Sequence, residues 1–164
     1  MSYWDGEMIH EKIYSELLSL LEGEHPWMTI LSTTACTLHH GFSHFHWTGF
    51  YCVSAHDVLS VGPYQGSHGC LTIPFSRGVC GAAARTQKTQ WVRDVHAIED
   101  HIACSSTTNS EVVVPLLWDG NVIAVLDVDS DIPDAFSQQD VQLLEKIAQL
   151  IAQRYPSCLS FFIR

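Results

Sequence analysis

The sequence lacks the features of several protein classes. It contains no CxxC pair, which argues against a zinc ribbon and against a thioredoxin-type redox pair. No apolar run approaches the ~20 residues that a membrane-spanning helix needs, and the N-terminus has neither the basic start nor the apolar core of a signal peptide. No repeat or low-complexity tract is present. We therefore expect the 164 residues to form a single globular domain in the cytoplasm.

Basic residues are scarce. The chain has 8 lysines and arginines against 18 aspartates and glutamates, for a net charge of −10, and the acidic residues are spread along it rather than gathered in a tail. The negative electrostatic potential of such a chain repels phosphate backbones and anionic lipid surfaces. We therefore expect neither nucleic acid nor membrane as a partner, and we favour a cationic or amino-bearing small ligand.

The order of predicted elements gives the fold class. Hydrophobic periodicity predicts N-terminal helices within residues 1–42, a sheet with its active-site loops over residues 46–129, and a C-terminal helix over residues 137–155. Two apolar runs flank the turn Asp119–Asn121, which is a strong hairpin signal. A helix-helix-strands-helix order predicts an α+β domain whose mostly antiparallel central sheet carries the N-terminal and C-terminal helices on one face.

Three of the six cysteines lie in one polar, turn-rich part of the chain, between residues 70 and 111. They are Cys70, Cys80 and Cys104. The segment Arg93–Ser110 shows neither helical nor strand periodicity, and a long irregular segment in a compact domain is often a binding loop. It contains Cys104 together with histidines that could favour a thiolate or deliver protons. This pattern indicates a redox site with Cys104 as the reacting thiol.

The other three cysteines have apolar or helical surroundings. Cys36, Cys52 and Cys158 are therefore predicted to be small buried hydrophobic residues. The ten histidines offer a competing zinc site, as in a zinc-dependent hydrolase, since His44 and His46 would share one face of an extended segment. No zincin-type histidine pair accompanies them, and the cysteines are irregularly spaced, so we favour a thiol site over a zinc site.

Acidic residues follow the most apolar segment of the chain. Asp127 and Asp129 are two positions apart and point to one face of a strand, while Glu111 begins the neighbouring strand. Grouped carboxyls raise the pKa of at least one member and supply a proton donor, or they stay ionised and hold an ammonium group. The alternative is that the aspartates cap the turn that follows, and spacing leaves both interpretations open.

Two aromatic residues share a face of the first predicted strand. Trp47 and Tyr51 are core residues by default. If their face is the one that carries the acids, they form an aromatic wall for an apolar or sulfur-bearing ligand.

Several short motifs match one family in order and spacing from about residue 26 to residue 150. They are Trp47–Tyr51, Gly62–Gly66, Arg77–Gly81, Asp94–His96, His101–Cys104, Asn109–Glu111 and Val125–Ser130. Together with the three cysteines, which separate the chain from ordinary GAF sensor domains, they resemble the free methionine-(R)-sulfoxide reductases, which are GAF-domain enzymes. The resemblance implies a GAF-like fold and reduction of free methionine-(R)-sulfoxide without metal or organic cofactor.

The resemblance also implies roles for the cysteines. Cys104 would attack the sulfoxide sulfur, release methionine and become a sulfenic acid, and Cys70 would resolve that acid as a disulfide. Thioredoxin would then restore the thiols by exchange. Cys80 matches the third cysteine of the family, as an alternative or auxiliary thiol.

The same resemblance places further residues around the substrate. The carboxyls of Glu111, Asp127 and Asp129 would protonate the sulfoxide oxygen and hold the α-ammonium group, while Trp47 and Tyr51 would receive the S-methyl end. A homodimer is expected by analogy with the family. The alternative function is a non-catalytic GAF module that binds a small ligand or senses redox state.

Overall fold

An antiparallel sheet forms the centre of the molecule. The computed structural model describes residues 3–98 and 107–155, with side chains from residue 8 onward. In this part of the chain the strands lie in the order β3-β2-β1-β6-β5-β4. The elements are α1 (Tyr3–Leu20), α2 (Trp27–Gly41), β1 (Trp47–Ala55), β2 (Val58–Gln65), β3 (Thr72–Pro74), α3 (Gly78–Thr86), β4 (Gln90–Val92), a 3-10 helix (Val95–Ala97), β5 (Ser110–Trp118), β6 (Asn121–Ser130) and α4 (Gln138–Ala152).

Every neighbouring pair of strands is antiparallel, which confirms the predicted α+β class. The central pair joins β1 to β6, strands that are distant in sequence. Their register runs from Trp47 opposite Asp129 to Cys52 opposite Ala124. The aromatic residues at the start of β1 therefore lie beside the acidic residues at the end of β6.

The larger core lies between one face of the sheet and the helices α1, α2 and α4, as predicted for the N-terminal and C-terminal helices. On β6 the residues Ala124, Leu126 and Val128 alternate onto this face and are fully buried. The start of α4 is fixed by a capping box: Ser137 Oγ accepts from the Asp140 N–H, and the Asp140 carboxylate accepts from the Ser137 N–H.

A smaller core covers the opposite face of the sheet. The helix α3 packs there through Val79, Cys80 and its alanines, against the β5 and β6 residues Val113 and Val125. Trp47 belongs to this core, as do Tyr51 and Ile73. Both faces of β5 and β6 are thus buried, which accounts for their nearly continuous apolar sequence.

The hairpin between β5 and β6 is set by its turn. Asp119 and Gly120 both adopt positive φ angles, 51° and 73°, as a two-residue type I′ turn requires. The turn pairs Trp118 with Asn121, and a one-residue register shift between Leu116 and Leu117 then places Glu111 directly opposite Asp129.

Two expectations need correction. The segment Arg93–Ser110 is not wholly irregular, because Asp94 caps the 3-10 helix through the His96 N–H and Ser110 already belongs to β5; residues 99–106 lie outside the described residues. Cys36 is exposed rather than buried, since the buried stripe of α2 runs through Leu31, Ala35 and Leu38 and leaves position 36 on the outer side.

None of the helices in the described ranges combines the length and the apolar character needed to cross a membrane.

Candidate functional site

Three carboxyl groups meet on the face of the sheet that carries the smaller core. Glu111 on β5 pairs with Asp129 on β6, and Asp127 lies two residues earlier on the same face. One oxygen of each carboxyl lies within 4.8 Å of the others. Glu111 and Asp127 are each only 5% exposed. The register of two central strands therefore forces three acidic groups into one largely buried cluster.

Burial and mutual repulsion change the protonation of this cluster. Burial, reinforced by the charge of Glu111, raises the pKa of Asp127 well above its ordinary value. Burial, followed by the charges of Asp127 and Glu111, does the same to the pKa of Asp129, although a hydrogen bond from Thr108 opposes the shift. The cluster can therefore keep a proton near neutral pH, or it can bind a cationic group that neutralises it.

An aromatic wall stands beside the carboxyls. The Trp47 and Tyr51 rings on β1 lie nearly parallel with centroids 5.7 Å apart, and Tyr64 on β2 stacks on Trp47 with a centroid distance of 5.3 Å. Gly49 lies between the two β1 aromatic residues on the same face. A Cβ there would come within 2.3 Å of Tyr64 Cβ and 2.7 Å of the Trp47 ring, so the stack depends on glycine at this position.

The segment before β3 is attached to this wall. The Trp47 Nε1–H donates to the Ser67 carbonyl oxygen at 2.9 Å, and the Tyr51 hydroxyl accepts from the Cys70 backbone N–H. Burial, with the nearby Asp127 charge, raises the pKa of Tyr51 far above its ordinary value, so its hydroxyl stays protonated. At Gly69 a Cβ would lie 2.7 Å from that hydroxyl oxygen. The polypeptide bearing Cys70 is thus held close against the aromatic pair.

The cysteines predicted to react occupy different environments. Cys70 is disulfide-bonded, and Cys104 lies outside the described residues. Cys80, on α3, is buried with its Sγ 3.2 Å from Asp127 Oδ2. Burial, and then the Asp127 and Glu111 charges, raises the pKa of its thiol well above the ordinary value.

The remaining cysteines lie away from the carboxyl cluster or outside the described residues. Cys52 packs against the larger core, and burial raises its pKa to about 11. Its predicted role as a small, largely buried residue is thus in keeping with its position. Cys158 is outside the described residues.

Two site residues were missed at the sequence level. Tyr64 extends the aromatic stack, and Thr108 donates to Asp129. The position of Tyr64 in the motif Gly62–Gly66 gave a signal for the first. No periodicity marks Thr108, because its side chain acts from an irregular segment immediately before β5.

The histidines do not form a competing metal centre in the described part of the chain. There, the only group of three or more histidine, cysteine or acidic side chains close enough to hold a metal ion is the carboxyl cluster itself. His44 instead lies 3.5 Å from an oxygen of Asp140. An all-carboxylate set lacks the nitrogen and sulfur ligands typical of zinc, and its oxygens can accept either a hard divalent cation or an organic ammonium group.

Comparison with known proteins agrees with this geometry. Residues 8–155 match the family model described as GAF domain. Free methionine-R-sulfoxide reductase of Escherichia coli is 39% identical over 135 residues, covering 82% of this chain and 79% of that protein. The protein of the same name from Saccharomyces cerevisiae is 38% identical over 159 residues, covering 90% and 88%.

A solved structure is equally similar. The X-ray structure of free methionine-R-sulfoxide reductase from Neisseria meningitidis in complex with its substrate is 39% identical to this chain. It superposes with a TM-score of 0.88 over 93% of this chain and 91% of that one. With these levels of identity over most of each chain, and with the carboxyl cluster and aromatic wall on one face of the sheet, this protein belongs to the GAF-domain family of free methionine-(R)-sulfoxide reductases.

Proposed function

We propose that this protein is an oxidoreductase that reduces free L-methionine (R)-S-oxide to L-methionine. The observation that carries the proposal is the buried cluster of Glu111, Asp127 and Asp129 facing the Trp47–Tyr51 wall. A free amino acid sulfoxide has one cationic group, one polar S=O bond and one apolar methyl group, and this face of the sheet offers a complementary group for each.

The carboxyls account for a preference for the free amino acid. A peptide-bound methionine sulfoxide has no α-ammonium group, so it cannot offset the free-energy cost of keeping an ionised carboxylate buried. A second carboxyl of raised pKa can protonate the sulfoxide oxygen as the S–O bond breaks. Trp47 and Tyr51 would contact the S-methyl end through their ring faces.

The proposed chemistry uses the cysteines as electron carriers. The Cys104 thiol attacks the sulfoxide sulfur, the S–O bond breaks, and oxygen is transferred so that methionine and a Cys104 sulfenic acid result. The Cys70 thiol then displaces water from that acid and forms a disulfide. Two thiols of reduced thioredoxin exchange with this disulfide, so that the net reaction yields methionine, water and oxidised thioredoxin. The disulfide-bonded state of Cys70 supports its role as resolving residue.

The test is a measurement of methionine formed from the separate R and S epimers, with dithiothreitol or thioredoxin as reductant. We expect methionine from the R epimer, whereas a non-catalytic ligand-binding or redox-sensing module would form none. Cys104→Ser should abolish even a single turnover. Cys70→Ser should release one methionine per enzyme and then stall with thioredoxin.

A matched control is Cys36→Ser, which removes an exposed thiol on α2 and should leave turnover unchanged. Normal turnover by Cys104→Ser would overturn the assignment of the attacking thiol. Absence of methionine from the R epimer with the wild-type protein would overturn the reductase function itself.

The proposal extends to a homodimer through the N-terminal helices. Large apolar side chains are exposed there: Met8 and Leu20 on α1, and Met28 on α2, are at least half exposed. Covering these side chains with a second copy of the chain would remove them from water. Light scattering at the mass of a monomer across the micromolar range would contradict the dimer.

A further inference from the structure

Cys80 contacts the carboxyl cluster from the opposite side to the strands. It lies 47 positions before Asp127 in the chain, yet its Sγ is 3.2 Å from Asp127 Oδ2 and its side chain is only 4% exposed. The contact is fixed by the packing of α3. A Cβ at the neighbouring Gly81 would lie 2.6 Å from the Pro74 carbonyl oxygen. The helix α3 therefore packs directly against the end of β3.

The thiol of Cys80 has the properties of a hydrogen-bond donor rather than of a nucleophile. A thiolate is the reactive form of cysteine, and reactive cysteines lie in accessible, electropositive surroundings. Cys80 is buried, and burial together with the charges of Asp127 and Glu111 raises its pKa well above the ordinary value. Its hydrogen therefore stays on sulfur and points to the nearest acceptor, the Asp127 carboxylate.

The two oxygens of Asp127 are consequently different. Oδ2 accepts from Cys80, whereas Oδ1 is buried without a hydrogen-bond partner among the described residues. A buried carboxylate oxygen that lacks a partner is costly, so a bound donor would stabilise it. A substrate ammonium group is a donor of the right charge.

The neighbours of Asp127 decide which carboxyl ionises. Glu111 faces it from β5, Asp129 from β6, Tyr51 from β1 and Cys80 from α3. Burial and then the charge of Glu111 raise the pKa of Asp127, and the hydrogen bond from Cys80 opposes that rise and so favours the ionised form. Burial, followed by the charge on Asp127, makes Asp129 more difficult to ionise.

We propose that Cys80 is a positioning residue whose thiol holds Asp127 ionised and oriented toward the substrate ammonium group, so that the proton of the cluster resides on Asp129. The proposal rests on the reductase function above and replaces the role of an auxiliary redox thiol. It assigns different roles to Asp127 and Asp129, which their spacing alone does not distinguish.

The test compares Cys80→Ala with Cys80→Ser. Serine keeps an O–H donor at this position, whereas alanine removes it. For Cys80→Ala we expect KM to rise roughly tenfold with little change in kcat, and the acid limb of kcat/KM against pH to move up by about one unit, because the proton affinity of Asp127 increases. Cys80→Ser should stay close to the wild type in both.

The control is Cys52→Ala, which removes a thiol on the other face of the sheet and should leave the pH profile unchanged. An auxiliary redox thiol would give a different result, since serine and alanine would then both impair thioredoxin-dependent turnover. A purely structural role would lower the melting temperature of Cys80→Ala without moving the acid limb. Either result overturns the proposal.

Two further measurements do not depend on turnover by a variant. The carboxyl titration of Asp127, followed by carbon NMR in the substrate-free protein, should occur at higher pH in Cys80→Ala than in Cys80→Ser; equal titrations overturn the proposal. This readout remains valid even if the wild type forms no methionine, which would refute the reductase function alone. In the wild type oxidised by one equivalent of substrate, mass spectrometry should find Cys80 as a free thiol, and Cys80 in a disulfide contradicts the proposal.

Discussion

Replacing Tyr51 with phenylalanine tests how Cys70, the cysteine proposed to resolve the sulfenic acid, is positioned. The Tyr51 ring is fully buried and stacks on Trp47, and phenylalanine keeps that stack. The change removes only the hydroxyl, which accepts from the Cys70 backbone N–H. If this bond holds Cys70 in place, Tyr51→Phe should affect the resolving step rather than the attack on the substrate.

The magnitude follows from the loss of one hydrogen bond. A net intramolecular hydrogen bond contributes about 1 kcal/mol, and the Cys70 segment is partly exposed, so water can replace part of the lost acceptor. A difference of ~1 kcal/mol corresponds to a roughly fivefold smaller population of the correctly placed segment. We therefore expect disulfide formation to slow by about fivefold, while methionine release in the first turnover stays near the wild-type rate.

The assay is rapid-quench single turnover with fully reduced protein and the R epimer. Methionine and remaining free thiols are counted at each time, so that attack and resolution are separated. Tyr64→Phe is the matched control, because it removes a hydroxyl from the other ring stacked on Trp47. Disulfide formation in Tyr51→Phe at the wild-type rate would refute the proposed role of the Tyr51 hydroxyl. Slowing of methionine release to the same extent as disulfide formation would refute it as well.

Two further predictions concern stability. Burial alone would raise the pKa of Asp140, but hydrogen bonds from His44, Ser137 and His10 outweigh it and hold the pKa far below the ordinary 3.8. The stabilisation is complete above pH ~4 and is lost as the pH falls toward the pKa of Asp140 in the folded protein. The free energy of unfolding of Asp140→Asn in urea should therefore lack this acid-dependent loss. A loss parallel to that of the wild type would contradict this prediction. Gly69→Ala should lower the free energy of unfolding by about 1–3 kcal/mol, because the added Cβ would press against the Trp47 ring and the Tyr51 hydroxyl. An unchanged denaturation midpoint would show that the segment bearing Gly69 is free to move away.

Local patterns predicted the elements because each carries its own signal. The turn at Asp119 and Gly120 requires two positive φ angles, which this dipeptide adopts readily, and the apolar runs on either side leave little alternative to a hairpin. The start of α4 is equally local, since Ser137 and Asp140 satisfy each other's backbone groups. Such signals do not depend on the rest of the fold.

The composition of the site was predictable only in part. Alternation placed Asp127 and Asp129 on one face, but it could not say that α3 would bring Cys80 to the same carboxylate. That contact depends on how a helix is seated across the sheet, and no periodicity encodes it. Cys36 shows the opposite error, because an apolar neighbourhood in sequence was taken for burial although the helical phase puts the residue outside.

The two faces of β6 explain how this fold tolerates a cluster of like charges. Leu126 and Val128 are fully buried in the larger core, and their alternation fixes Asp127 and Asp129 on the other face. The strand is hydrogen-bonded on both sides, to β1 and to β5, so neither aspartate can turn away from Glu111 without breaking the sheet. Repulsion among the three carboxyls is then relieved by keeping a proton or by binding a cation, rather than by movement. A cluster built in this way can hold a proton, and it gains stability when a bound cation neutralises it.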